Sequence, residues 1–200
     1  MADPGITPLE RAPSLGELAL LQRAKALGFP VAPTWAVALE EEFYRLNNLP
    51  ERIARLFSGV FGVRVDEERL LWAAEEAKRA IRESYLLPER AEAFLEALKG
   101  RGPFVVRALG REGLLAATPQ EALFALKRLW AEAFQVEAVL DRYPELLPPF
   151  TPYLVQEAGE VEEDPFLSLE LLQPFQPQHM PEQLPLLGRL SWRLRLAPPL

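Results

Sequence analysis

Four consecutive residues, Thr118-Pro119-Gln120-Glu121, leave the backbone that follows them little choice. The threonine hydroxyl can accept from an amide of the first turn, and proline suits the first helical position because its missing N–H has no helical partner there. The glutamate completes a capping box. A helix over residues 122–134 is expected, with Leu123, Leu126 and Trp130 on one stripe and Trp130 buried. Upstream, Phe104-Val105-Val106 reads as a buried strand, and the charge that follows it at once makes Arg107 the first functional candidate. A second strand, residues 153–158, is expected beside it in one sheet, because the capped helix is long enough for a crossover or a packed return.

Two hundred residues, 49% of them hydrophobic and including four Trp and eleven Phe, suffice for one cored domain with a small appendage. A net charge of −7 lacks the basic face of a nucleic-acid binder, so no nucleic-acid partner is expected. Cysteine is missing altogether, which excludes disulfides, thiolate catalysis and cysteine–zinc sites. The single histidine, His179, lies in Gln-Pro-Gln-His-Met-Pro and leaves no Ser-His-Asp pairing and no conventional zinc cluster. No catalytic residue and no metal ligand is assigned. No apolar run approaches a membrane span and MADPGITPLERAP is unlike a signal peptide, so a cytoplasmic protein without a membrane partner is expected. Twenty prolines and only two asparagines, Asn47 and Asn48, fit a heat-adapted protein.

Taken in order, residues 1–13 read as an extended lead-in and Ser14-Leu15-Gly16-Glu17 as a second capping box, opening a short helix that Gly28 stops. A strand is expected to begin after Pro33. Glu40–Leu49 is expected as a helix with Phe43 and Leu46 inward, followed by another from Pro50 to Phe57. From the N-cap Asp66, the stripe Leu70, Ala74, Ala77, Ile81 and Tyr85 marks a long helix with Glu75, Glu76, Arg79 and Arg82 opposite. Pro88 opens a helix that Gly100 closes, and residues 137–143 form a last one. Glu160–Asp164 is an acidic cluster, either a solvated loop or a hard-cation site. Residues 166–171 and 190–196 both alternate with strand period and are expected to pair.

Two of these stretches carry a resemblance. Ser-Leu-Gly-Glu, a helix, then Gly28-Phe29-Pro30-Val31 and Trp35, followed at the right distance by Val106-Arg107 and the capped helix ending Arg128-Leu129-Trp130-Ala131, resembles the N-terminal nucleotide-binding domain of phosphoenolpyruvate synthase and pyruvate phosphate dikinase. It covers about residues 9–160. The resemblance implies an α+β fold: an ATP-grasp-like lobe of mixed sheet flanked by helices over residues 1–160, with a helical insertion at about 40–100. Residues 161–200 would form a short extension of two paired strands in place of the family's second lobe.

In that family the strand arginine reaches ATP phosphates, a lysine behind two glycines supplies a further charge, and a strand-end glutamine meets the adenine. The resemblance therefore implies a nucleotide site at Arg107, Arg11, Gln156 and its neighbour Glu157, with Glu112 on the strand that follows the shortened loop and Arg11 and Arg107 converging in one cleft. Glu10 and Glu112 would compensate the two arginines if no phosphate is bound. On residue type alone, Arg11 reads first as a solvated arginine in a loose N-terminal segment and Gln156 first as an exposed polar strand end.

Leu9 and Glu10 stand at the glycine positions and Ala108-Leu109-Gly110 replaces the family's serines. The function so implied is that of a stand-alone phosphoenolpyruvate synthase-related protein in which ATP binding is weakened or lost, without phosphotransfer of its own. ATP is the one cofactor implied, and magnesium is not expected without the second lobe. Two other classes stay open: a non-catalytic interaction or regulatory scaffold with a protein partner or a second copy of itself, and the ATP-binding subunit of a split kinase that needs a partner chain.

Overall fold

The computed structural model describes residues 5–26, 31–111 and 113–158. Gly28, Glu112, the acidic cluster 160–164, the alternating runs 166–171 and 190–196 and His179 lie outside the described residues.

Strand β1 (Ile6–Pro8) and a 3₁₀ turn (Leu9–Arg11) precede helix α1 (Gly16–Ala26), so part of the expected lead-in is regular structure. Strand β2 (Thr34–Val37) begins directly after Pro33, as its prolines require. Helices α2 (Glu40–Leu46), α3 (Leu49–Leu56), α4 (Glu67–Glu83) and α5 (Pro88–Ala97) follow. Then come β3 (Phe104–Ala108), β4 (Gly113–Ala116), α6 (Pro119–Glu132), α7 (Val136–Arg142) and β5 (Tyr153–Glu157). The protein is α+β.

The five strands form one sheet in the order β1-β2-β5-β3-β4, and β3 and β5 are neighbours as expected. The sheet is not mixed, because every ladder in it is antiparallel. The reason lies in the connections. Helices α2–α5 carry the chain from β2 to a parallel β3, and α6 with α7 carries it from β4 to a parallel β5, but each crossover leaves room for one strand of opposite direction. β5 fills the first gap and β3 the second, so parallel strands are never adjacent.

Strand alternation divides the sheet into two faces. Trp35, Val37, Phe104, Val106, Tyr153 and Val155 point to one side and form the main core with α2–α7. Helix α6 is built as its cap dictates: the Thr118 hydroxyl accepts from the Glu121 amide at 3.2 Å, and the Glu121 carboxylate accepts from the Ala117 amide at 2.8 Å. Trp130 is wholly buried on it. Asp66 likewise caps α4, whose Leu70, Ala74, Ala77 and Ile81 are buried. Tyr85 is exposed rather than inward, because α4 ends at Glu83 and the stripe's register ends with it. Leu46 is exposed too; the buried stripe of α2 is Glu40, Phe43 and Tyr44, at i, i+3 and i+4.

Candidate functional site

The opposite face of the sheet carries polar groups where an apolar core would be simplest. Val105 lies opposite Gln156 and Thr34 opposite Gln156 in the ladders, while Arg107 is two residues along from Val105, so Thr34, Gln156 and Arg107 share this face. Helix α1 covers it and brings Glu17 down onto Arg107.

Arg107 is only 1% exposed. Its guanidinium grips the Glu17 carboxylate in a fork: Nη2 donates to Oε1, and Nε donates to Oε2 at 3.3 Å. Glu17 Oε2 also accepts from the Gly110 amide at 3.0 Å, in the β3–β4 turn where Gly110 sits at φ +69°. That left-handed conformation suits glycine, which has no Cβ to clash. Arg107 Nη2 further reaches Gln156 Oε1 at 3.5 Å; Gln156 Nε2 donates to Thr34 Oγ1 at 2.9 Å, and the Thr34 hydroxyl donates to the Ala32 carbonyl at 2.7 Å. A continuous buried network thus crosses α1, β3, β5 and β2. Burying a charge pair is costly in itself, and such a pair holds only where hydrogen bonds satisfy both ions, as they do here.

The expected site residues part company in this geometry. Arg107 and Gln156 come together. Glu157 does not join them, because the next residue along a strand points to the other face; its carboxylate meets Arg101 at 3.3 Å instead. Arg11 is exposed on the 3₁₀ turn and lines a surface depression of about 510 Å³ with Glu10, Gln22 and Lys25, a lining that does not include Arg107 or Gln156. Arg11 and Arg107 do not share a cleft there. Glu10 is not their compensating acid either: Lys25 pairs with it, and that hydrogen bond holds its carboxyl below the usual range. Glu112 lies outside the described residues.

Two participants escaped the sequence reading. Glu17 fits a capping box with Ser14, yet the Ser14 hydroxyl donates to Gln22 at 2.6 Å and Glu17 turns inward. The signal was available, since Glu17 precedes Leu21 by four residues and therefore lies on the apolar stripe of its helix. Thr34 carried no such signal.

A second polar centre lies in the main core. Glu40, Tyr44 and Trp130 are buried, and Glu40 Oε1, the Tyr44 hydroxyl and Trp130 Nε1 have no hydrogen-bond partner of good geometry among the described residues. Burial pushes the Glu40 carboxyl up to about 8, opposed by the charge of Arg142 and the nearby Tyr44 hydroxyl. Burial also raises the Tyr44 and Tyr153 phenols, with the Glu40 charge adding to both. Arg142 is fixed by donating to the carbonyls of Ala133, Ala138 and Leu146.

Among the described residues, no group of three His, Cys, Asp or Glu side chains is placed to hold a metal ion. No described helix is long and apolar enough to cross a membrane. Comparison with protein-family models finds no match to this chain, and comparison with curated proteins finds none.

Proposed function

We propose that this protein is a non-catalytic relative of the nucleotide-binding lobe of phosphoenolpyruvate synthase and pyruvate phosphate dikinase, a scaffold whose strand arginine serves the fold instead of a triphosphate. One observation carries this reading: the guanidinium of Arg107 is buried and already holds a carboxylate in a fork. Phosphoryl transfer relies on positioned cations that meet the phosphate oxygens as charge develops. An arginine committed to Glu17 is not free to do that, and a triphosphate would have to displace a negative partner of matching geometry. The side chains at the family's glycine positions, buried Leu9 and exposed Glu10, act in the same direction, since neither lets the backbone approach a phosphate as closely as glycine would.

Calorimetric titration of ATP, with and without magnesium, into the wild-type chain and its Arg107→Ala variant tests this. The scaffold reading expects no measurable heat of binding in either protein and a lower melting temperature for the variant. Micromolar ATP binding by the wild type that disappears in a variant with an unchanged melting temperature would overturn it.

A further inference from the structure

We propose that a second copy of this chain docks along strand β4, giving a two-fold dimer in which the two sheets become one. This goes beyond the scaffold reading and does not depend on it. β4 is the last strand in the sheet order, pairing only with β3 among the described residues. Its sequence, Gly113-Leu114-Leu115-Ala116, holds no charge, proline or bulge of the kind that usually keeps an open edge from pairing. Leu115 is 78% exposed on it, and Phe124, on the neighbouring helix α6, is 70% exposed. Both line one groove of about 280 Å³ with Leu114, Glu121, Ala125 and Arg128.

The charges around this groove fit a second copy. Glu121, Phe124 and Arg128 lie at i, i+3 and i+7 on one stripe of α6, with the aromatic ring between an acid and a base. Antiparallel pairing of β4 with its symmetry mate runs the two copies of α6 side by side in opposite directions on the core face. Phe124 then packs near the axis against its mate, and Glu121 of each copy faces Arg128 of the other. Such a patch is self-complementary, which a two-fold contact requires. Arg128 has a loose intrahelical partner in Glu132 at 3.5 Å, and Glu121 uses Oε2 for its cap. Leu115, on the other face, meets Leu115 of the mate as a cross-strand pair.

Sedimentation equilibrium of the full chain over micromolar to millimolar concentrations tests the proposal. The wild type is expected to be dimeric and the variants Leu115→Lys and Phe124→Asp monomeric, with circular dichroism confirming that both remain folded. Arg128→Glu alone is expected to weaken the dimer at least tenfold, and the exchange Glu121→Arg with Arg128→Glu to recover most of that loss, because the pair is restored with its signs reversed. A monomeric wild type at millimolar concentration would overturn the proposal. So would a dimer indifferent to Leu115, Phe124 and the charge exchange, since its interface would lie elsewhere.

Discussion

Gly113 lies directly opposite Arg107 in the β3–β4 ladder, and a Cβ on Gly113 would come within 2.9 Å of the arginine's own Cβ and 2.7 Å of the Val106 carbonyl oxygen. The buried arginine therefore depends on a glycine across the ladder as well as on its carboxylate. Gly113→Ala is expected to destabilise the protein by about 1–3 kcal/mol, the usual cost of overpacking a close contact. Chemical denaturation checks this. A variant as stable as the wild type would mean that β4 yields freely and that Arg107 is only loosely enclosed.

The ion pair itself predicts an asymmetry between single and double variants. Arg107→Ala leaves the Glu17 carboxylate buried without its cation and is expected to cost about 3–5 kcal/mol. Arg107→Met combined with Glu17→Leu removes both charges at similar volume, and is expected to recover most of that loss or exceed wild-type stability. Equilibrium unfolding of the single and double variants measures the difference. A double variant no more stable than Arg107→Ala would show that hydrogen bonds to Gly110 and Gln156, not the paired charges, dominate at this centre.

Glu40 predicts a pH dependence of definite sign. Its carboxyl is raised from 4.5 to about 8 in the folded protein, chiefly by burial, whereas the unfolded chain ionises it in the ordinary range. The folded state thus holds an extra proton between those values. The contribution to stability is fully present below about pH 4.5 and lost as the pH rises through about 8. Glu10 and Glu42, whose carboxyls are held low by hydrogen bonds from Lys25 and Arg90, act in the opposite window and lose stability only as the solution becomes more acid. Glu40→Gln keeps the shape without the titration, so it is expected to remove a loss of a few kcal/mol between about pH 5 and pH 9. Parallel pH-dependent profiles for variant and wild type would refute the assignment to Glu40.

Local signals in the sequence were strong enough to place most elements. The Thr118 and Asp66 caps, the Pro88 helix start and the end of β2's proline run all sit where residue chemistry puts them, because each depends on neighbours in the chain. Arg107 was legible for the same reason, since a charge directly after an apolar run stands out, whereas Gln156 entered only through the resemblance and, read on residue type as an exposed strand end, is in fact fully buried. What was not legible is long-range. Strand direction depends on which strand fills the gap left by a crossover, and no period in the sequence encodes that. The partner of Arg107 is ninety positions away, and Glu17 satisfied a local capping pattern well enough to hide its tertiary role. Glu40 was hidden in the same way, as an ordinary acid in the first turn of a helix, where negative charge is favourable in any case.

Glu17 closes off Arg107, and nitrogen-15 NMR of the arginine Nε–H groups in the full chain tests that directly, with the Arg107 signal assigned by its disappearance in Arg107→Lys. The predicted result is an Arg107 Nε–H resonance protected from exchange with water and unmoved by ATP with magnesium up to millimolar concentration, while the exposed Arg11 exchanges rapidly. An Arg107 signal that exchanges rapidly with solvent, or that shifts and saturates as ATP is added, would mean that Arg107 is open to solvent or nucleotide and not committed to Glu17.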